Sequence, residues 1–499
     1  MEKNEIDIKR LFIFFVLITL FIFSFELYTY YFTPKEQVKK VERKEEPKSA
    51  PQLMLGTTRE AKRLQNIQTF DFSNFKVSIS TDGGKITSII DKRYSFDLIT
   101  NEERKLNIYP LEVYTGDPSI DQKLNFSTYS IKKIADSIVM SYSEGNINLV
   151  KTLEYKGDYF RVSISSRGIN LPIYILAGTN VKSDEFYTHS GPVVNIGGRI
   201  ERLDPKKIEG REIITGDIKF AGEESRYYFK GFVGPISSVV IYKLGDGSTF
   251  TLAQIKDPLI LYAGAKEYSR LGKIGLSDVI DYGMLKMVVK PLFAFMYWIY
   301  EHLRSWIFSI LALTFIVRLF MFPLTYKSTV AMAKLSELAP KIQQIKEKYK
   351  EDPSKMQEEM MKLYSQMGFN PMSGCLPIFL QIPVFFALYK VLTITADLQL
   401  ASFLWIPSLS QKDPYYALPI LMGLTMIAQQ FINPNPDKSQ NIVMYISSVA
   451  FTFLFASFPA GLVLYWTFNN LLNIAQSYII KEVLLKDRNK VQKKRKTKK

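Results

Sequence analysis

Arg318 is the one fixed charge in the apolar run SWIFSILALTFIVRLFMFPLTY at residues 305–326. About twenty apolar residues can cross a hydrocarbon core of roughly 30 Å as a helix. At 1.5 Å per residue, Arg318 lies about 10 Å from the end of the run near Thr325, inside the lipid layer. A charge at that depth costs about 2.5 to 17 kcal/mol unless water or a partner reaches it. Two interpretations stay open: the side chain extends to the interface, or it belongs to a hydrated functional site.

Polar side chains recur at a similar depth in the apolar segments. Thr314 precedes Arg318 by one helical turn, and Asn469 and Asn473 are spaced to share one helix face. The remaining members of this polar set are Gln381, Gln429, Gln430, Trp466 and Gln476. They crowd one half of the predicted spans, where no carboxylate is placed to neutralise Arg318. The pattern favours a hydrated groove open to one side, and the alternative is amide contacts between helices worth about 0.6 kcal/mol each.

The composition excludes several kinds of catalytic site. The chain of 499 residues has two histidines and one cysteine, Cys375, which leaves no cluster for a metal and no disulfide framework. A glycine-rich phosphate loop ending in Lys-Ser or Lys-Thr is also missing from the sequence. The sequence therefore predicts a protein that is not an enzyme and that needs no cofactor.

The first part of the chain is predicted to be an anchored β-domain. Residues 1–32 are expected to form an uncleaved membrane anchor, and the charged, proline-broken stretch at 33–69 a linker. Residues 70–276 alternate apolar and polar residues between tight turns such as Asp82-Gly83-Gly84, which predicts an antiparallel β-sandwich with almost no helix. Residues 277–304 mix aromatic and charged side chains and are expected to form an amphipathic helix in the membrane interface.

The rest of the chain is predicted to be helical. After the span at 305–326, residues 327–369 carry an apolar seam in two arms and predict a coiled-coil hairpin, interrupted near Pro340. Residues 370–480 contain enough apolar sequence for spans 3–6, with a sharp turn at Phe458-Pro459-Ala460-Gly461. The tail at 481–499 is basic and is expected to be disordered, and it could bind RNA or anionic lipid.

Charge predicts the orientation of these six spans. The net charge is +16, and the basic N-terminus, hairpin and tail fall on one side when six crossings are threaded. By the positive-inside rule, that side is the cytoplasm and the β-domain lies outside. An acidic translocated end of another protein could then be attracted to Arg318 from the cytoplasm, which would lower its desolvation cost without a nucleotide.

Four segments resemble the YidC-type membrane protein insertases of bacteria, relatives of the Oxa and Alb insertases. They are TFIVR ending at Arg318, NPMSGCLPIFLQIPVFFALY at 370–389, DPYYALPILMG at 413–423 and FPAGLVLYW at 458–466. The resemblance covers about residues 281–480 and implies a five-helix core in the bacterial inner membrane. It implies a groove open to the cytoplasm and the lipid, in which Arg318 contacts substrate. The groove residues of the family map onto Thr314, Tyr465 and Trp466, and Trp466 stands where many relatives have tyrosine.

The resemblance also implies the partners. They are newly made membrane proteins, the Sec translocon, membrane lipids, and the ribosome or targeting factors at the hairpin and tail. Thr314, Gln429, Asn469 and Asn473 are predicted to hydrate the groove wall, while Tyr465 and Trp466 line it for apolar segments. Two other function classes remain open: a small-solute transporter, and a membrane-anchored carbohydrate-binding protein whose β-domain would carry the activity.

Overall fold

The computed structural model describes residues 64, 66–179, 189–245, 247–283, 286–366, 376–434 and 438–496. The predicted N-terminal anchor at 1–32 lies outside these residues. The chain divides into two compact units. The β unit extends to Gly283 and also includes Thr393–Leu400, whereas the helical unit includes Met284–Leu392 and Ala401–Lys499.

The β unit is built from antiparallel strands. The strands are β1 (Ile67–Asp71), β2 (Phe75–Ser80), β3 (Lys85–Asp91), β4 (Phe96–Asp97), β5 (Val113–Tyr114), β6 (Ser130–Ile134), β7 (Ser137–Glu144), β8 (Ile147–Tyr155), β9 (Phe160–Arg167), β10 (Tyr174–Gly178), β11 (Gly191–Ile196), β12 (Arg199–Arg202), β13 (Arg211–Glu224), β14 (Tyr228–Lys243), β15 (Thr249–Gln254) and β16 (Leu259–Ala265). β1 to β4 form one sheet in sequence order. The larger sheet runs β12-β11-β13-β14-β16-β9-β8-β7-β6, with β15, β10 and β5 branching from β14.

The period-two pattern in the sequence explains why these strands form a sandwich. In β2, Phe75, Val77 and Ile79 point to one face and are fully buried. They pack in one core with residues of the larger sheet such as Leu149 and Val162. The predicted β-sandwich is therefore confirmed, and its first strand begins three residues before the predicted boundary at 70.

Two short helices interrupt the β unit, where the sequence predicted almost none. They are α1 (Asn101–Leu106) and α2 (Pro118–Phe126). The hydroxyl of Thr100 accepts from the backbone N–H of Glu103, whose carboxylate accepts from the N–H of Thr100. Local capping of this kind stabilises a helix too short to show a clear apolar period. A third short helix, α3 (Tyr268–Lys273), follows the last strand.

Residues 393–400 belong to the β unit and are held there by backbone and side-chain hydrogen bonds. Arg226 Nε donates to the carbonyl of Thr393 at 2.8 Å, and Tyr94 donates its hydroxyl to the carbonyl of Ala396 at 3.3 Å. The carboxylate of Asp397 accepts from the N–H of Tyr268 at 3.0 Å. Burial raises the pKa of Asp397 to about 7, and this N–H only partly offsets the effect. Residues 393–400 are hereafter called the docked segment.

The helical unit contains the remaining helices. They are α4 (Lys286–Leu303), α5 (Trp306–Glu337), α6 (Ala339–Lys348), α7 (Pro353–Gln366), α8 (Leu376–Ile394), α9 (Ala417–Ile432), α10 (Lys438–Phe455) and α11 (Ala460–Lys496). α4 buries Val289, Phe293 and Ile299 on one face while Met287 and Trp298 are exposed, so this helix is amphipathic. The interfacial position expected for residues 277–304 stays a prediction. α5 packs against α4 and α11, and α9 packs against α10 and α11.

One described helix is long and apolar enough to cross a membrane, at Trp306–Val330. Its N-terminal Trp306 stacks on Tyr300 of α4 with ring centroids 4.3 Å apart. Shorter apolar helices cover Gln381–Ile394, Ala417–Ile432 and Asn441–Phe455. The six predicted spans stay a prediction.

The helix boundaries differ from the sequence predictions at two places. α5 continues without a break past the predicted end of its span at 326, and the helix is interrupted just before Pro340, as expected. α11 continues to Lys496, so the predicted disorder of the basic tail is wrong for these residues. Lysine, arginine and glutamine are good helix formers, and basic residues are favourable near a helix C-terminus.

Candidate functional site

Arg318 lies in the interior of the helical unit, with 6% of its surface exposed. Its Nε donates to the side-chain oxygen of Asn469 at 2.7 Å, and a terminal nitrogen donates to the backbone carbonyl of Asn469 at 3.2 Å. The other terminal nitrogen is 3.4 Å from the side-chain oxygen of Asn473. The described partners of the guanidinium are therefore amide oxygens, which carry partial rather than full negative charge.

Helix geometry explains this arrangement. Asn469 and Asn473 are four residues apart on α11, so both side chains lie on the face that packs against α5. The sequence predicted them as a hydrating wall, whereas the structure brings them into direct contact with Arg318. Whether they also contact substrate stays a prediction.

Thr314 lies one turn before Arg318 and is also buried. Its hydroxyl donates to the carbonyl of Ile310 at 2.6 Å, so its hydrogen-bonding capacity is partly used within α5.

Tyr465 and Trp466 occupy adjacent positions near the start of α11 but have different surroundings. Tyr465 is fully buried, and its hydroxyl pairs with the side-chain amide of Gln381 on α8. The Trp466 ring meets Phe385 edge-on, with centroids 5.3 Å apart, and lies 5.5 Å from the ring of Phe455. The aromatic lining expected at these positions is thus part of a contact among α8, α10 and α11.

Further polar contacts join α9 to α11 and to α10. The Asn470 amide donates to Thr425 at 3.0 Å, and the Gln430 amide donates to Asn441 at 2.6 Å. Gln429, the predicted groove residue, is half-buried beside Gln430. The sequence did not predict a contact for Asn470, because the polar residues considered on α11 were those that share one helix face with Asn469. Asn470 is the next residue and lies on a different face.

Three buried polar side-chain atoms have no hydrogen-bond partner within the described residues of the helical unit. They are the hydroxyl oxygens of Thr325 and Ser410 and the side-chain carbonyl oxygen of Gln476. Thr325 follows Arg318 by seven residues on α5, and Gln476 follows Asn469 by seven residues on α11. Seven residues are about two helical turns, so each residue lies on the face that bears the arginine contact. The polar face thus continues beyond Arg318.

The buried carboxylates of the β unit are engaged in its core. Glu103 pairs with Lys230 at 2.7 Å, and Asp91 pairs with Arg270 at 2.5 Å. Glu223 accepts from the hydroxyls of Thr249 and Thr251, and burial raises its pKa to about 8. These ion pairs and hydrogen bonds give the carboxylates a structural role in the β unit. No group of side chains that could hold a metal ion is found among the described residues.

Two family models together match most of the chain. The YidC periplasmic domain matches residues 68–295, and the 60Kd inner membrane protein family matches residues 298–488. A membrane protein insertase YidC from Aquifex aeolicus (strain VF5) is 52% identical, over 98% of this chain and 99% of its own length. This chain belongs to the YidC family.

Other YidC proteins are also similar to this chain. A membrane protein insertase YidC from Campylobacter jejuni subsp. jejuni is 33% identical, over 98% of each chain. A crystal structure of an active YidC insertase with its first transmembrane domain resolved has a TM-score of 0.42 and 19% identity, covering 83% of this chain and 95% of the other. The match at residues 68–295 identifies the β unit as a YidC periplasmic domain. A solute transporter and an anchored carbohydrate-binding protein find no support in these matches.

Proposed function

We propose that this YidC family member is a membrane protein insertase and membrane chaperone that works through a hydrophilic groove centred on Arg318. The observation that carries the proposal is the buried guanidinium, which is held by the amide oxygens of Asn469 and Asn473. Amide dipoles fix the position of the arginine, and no carboxylate among the described residues pairs with its charge.

An uncompensated buried charge is costly, so its surroundings must offer water or a passing anion. The unpartnered oxygens of Thr325 and Gln476 also favour water along this face, because a buried polar atom without a hydrogen bond costs about 1 to 3 kcal/mol. A hydrated path along this face would shorten the hydrocarbon barrier for a polar tail. The acidic end of an incoming protein would be attracted to Arg318 and then released, with no nucleotide consumed.

We further propose the topology predicted from the sequence. The core has five helices, the N-terminal anchor adds a sixth span, and both termini and the hairpin are cytoplasmic. Leu338 and Ile342 pack with Met360 and Leu363 of α7, which supports a helical hairpin at 327–369. This hairpin and the tail at 481–499 would receive substrates from the ribosome or targeting factors. The core would act alone or with the Sec translocon.

The remaining boundaries are proposed as predicted: a linker at 33–69, an interfacial helix at 277–304 and spans 3–6 within 370–480. Thr314, Gln429, Tyr465 and Trp466 are proposed to line the groove with the arginine site. The aromatic pair is proposed to line the groove for apolar substrate segments. Trp466 is only half-buried and would make the contact, whereas the fully buried Tyr465 would hold the groove wall through Gln381.

The test uses purified protein in liposomes and a single-span substrate whose translocated tail carries an acidic residue. Protease protection of the tail is scored for wild type, Arg318→Ala and Arg318→Lys, each with acidic and neutral tails. Arg304→Ala is the matched control, since Arg304 is exposed at the corner between α4 and α5. We expect Arg318→Ala to lose protection mainly for the acidic tail. If Arg318→Ala protects both tails as well as wild type does, electrostatic capture is refuted. If wild type protects the tail no better than empty liposomes do, the insertase function is refuted.

A further inference from the structure

The loop between α8 and α9 contains a rigid turn at residues 401–416. Ile406 and Leu409 are buried in the helical unit, and Phe403 and Ile406 exchange two backbone hydrogen bonds. The loop is also fixed to the start of α11, because the N–H groups of Ala460 and Gly461 donate to carbonyls in this turn at 2.7 and 2.9 Å. The turn therefore has a defined conformation.

Asp413 organises the second half of the same turn. Its side chain is buried, and one oxygen accepts from Trp405 Nε1 at 2.9 Å and from the N–H of Tyr415 at 3.0 Å. The other oxygen accepts from the N–H of Leu418 at 2.7 Å, in the first turn of α9. One carboxylate thus sets the positions of an indole ring and of the chain that carries the following tyrosines.

This framework presents large apolar side chains outward. Leu404 is 76% exposed and Tyr415 is 71% exposed, and Trp405 and Tyr416 are exposed to a lesser degree. Leu404 and Tyr416 have φ values of +49° and +57°, which cost free energy for residues other than glycine. A strained backbone that exposes a leucine is explained if the exposed side chain has a binding partner. These four residues are called the aromatic rim.

We propose that the aromatic rim docks into the interfacial layer of the lipid bilayer, at the end of the spans α8 and α9. The inference rests on the proposed function, because it requires both helices to be membrane spans. The turn follows the docked segment after α8 and leads directly into α9, so its depth is set by the membrane surface. Between residues 401 and 416 the side chains that are charged at neutral pH are Lys412 and the buried Asp413.

The chemistry of the rim fits the bilayer interface better than water. Tryptophan and tyrosine are enriched where acyl chains meet headgroups, because their rings are apolar and their tips polar. Leu404 adds an apolar side chain that can reach below the headgroups. The rim would hold this end of α8 and α9 at a fixed depth while substrates pass through the groove.

The experiment uses full-length protein with Cys375→Ser, labelled with an NBD fluorophore at Leu404→Cys. A matched control carries the label at Ile134→Cys, which is 60% exposed on β6. Vesicles contain lipids with nitroxide labels either at the headgroup or deep in the acyl chain. We expect the label at 404 to emit at shorter wavelength and to be quenched by the headgroup nitroxide at least about twofold more than the label at 134.

Insertion of the reference substrate is measured in the same vesicles, and only active preparations are compared. The vesicles must insert the substrate for the comparison to count. If the label at 404 is then as solvent-exposed as the label at 134, the docking proposal is overturned and the proposed function stays intact. Shielding that occurs only at high protein-to-lipid ratio would indicate contact with a second copy, and would also overturn it. A second variant is Leu404→Asn, because asparagine tolerates the left-handed backbone but is polar. The NBD label is then placed at Lys412→Cys, with and without Leu404→Asn. We expect Leu404→Asn to reduce quenching of this label by the headgroup nitroxide, and unchanged quenching would contradict the proposal.

Discussion

Replacing Asn469 by aspartate would test whether the charge of Arg318, rather than its bulk or position, receives substrate. The side-chain oxygen of Asn469 lies 2.7 Å from Nε of Arg318, so Asn469→Asp puts a full negative charge against the guanidinium at almost unchanged volume. The pair as a whole becomes neutral. We expect the purified variant to unfold at the same or higher temperature than wild type, since an ion pair replaces a contact between a charge and a dipole.

The size of the effect on insertion has an upper bound. At an effective dielectric constant of about 20, unit charges about 4 Å apart attract by about 4 kcal/mol. Because about 1.4 kcal/mol corresponds to a factor of ten in rate, this is a preference of at most about a thousandfold for an acidic over a neutral tail. Water in the proposed groove would weaken the attraction, so we expect Asn469→Asp to reduce that preference by about tenfold or more.

The assay measures initial rates of tail protection in liposomes, with acidic and neutral tails in parallel. Asn469→Leu is the matched variant, because it removes the bond at 2.7 Å but keeps the backbone acceptor at 3.2 Å. It should destabilise the protein by about 1.5 to 3 kcal/mol and retain the preference for the acidic tail. If Asn469→Asp is folded and still prefers the acidic tail as wild type does, the electrostatic reasoning is wrong.

Three further predictions concern the rest of the structure. A Cβ at Gly423 would meet the Thr452 hydroxyl at 2.1 Å, so Gly423→Ala should destabilise the α9–α10 contact by about 1–3 kcal/mol, and Thr452→Ala should restore thermal stability in that background. Because the pKa of Asp397 is raised to about 7, the folded state keeps a proton that the unfolded state releases above about pH 4. Protection of the docked segment from hydrogen exchange should therefore fall as pH rises from about 4 to 7, and Asp397→Asn should show a flat profile. Ile342→Ala should destabilise the contact between α6 and α7 by about 2 kcal/mol and increase proteolysis between these helices. The exposed control Lys341→Ala should change neither.

The sequence predicted the elements of the site better than the contacts between them. A lone charge in an apolar run identifies Arg318, and the four-residue spacing places Asn469 and Asn473 on one face. Which helix meets that face depends on tertiary packing, and no local pattern encodes the pair of Gln381 with Tyr465, 84 residues apart. The hydrogen bond that Arg318 donates to Asn469 was missed for this reason.

The β unit shows the same division between local pattern and long-range contact. Alternating residues and glycine turns predicted its strands, because burial on one face of a strand imposes a period of two. The contact of Asp397 with Tyr268 joins residues 129 apart in the chain, and it could not be read from either neighbourhood. The short helices were missed because each is shorter than the window over which an apolar period is visible.

Because amide oxygens hold Arg318, the site keeps a net positive charge at a fixed position. A guanidinium with no full counter-charge would repel a lysine-rich tail at the same depth where it attracts an acidic one. The groove would then sort the two ends of a client protein by charge, passing the acidic or neutral end and leaving the basic end behind. The orientation of newly inserted helices, with their positive flanks in the cytoplasm, would follow in part from this single electrostatic filter.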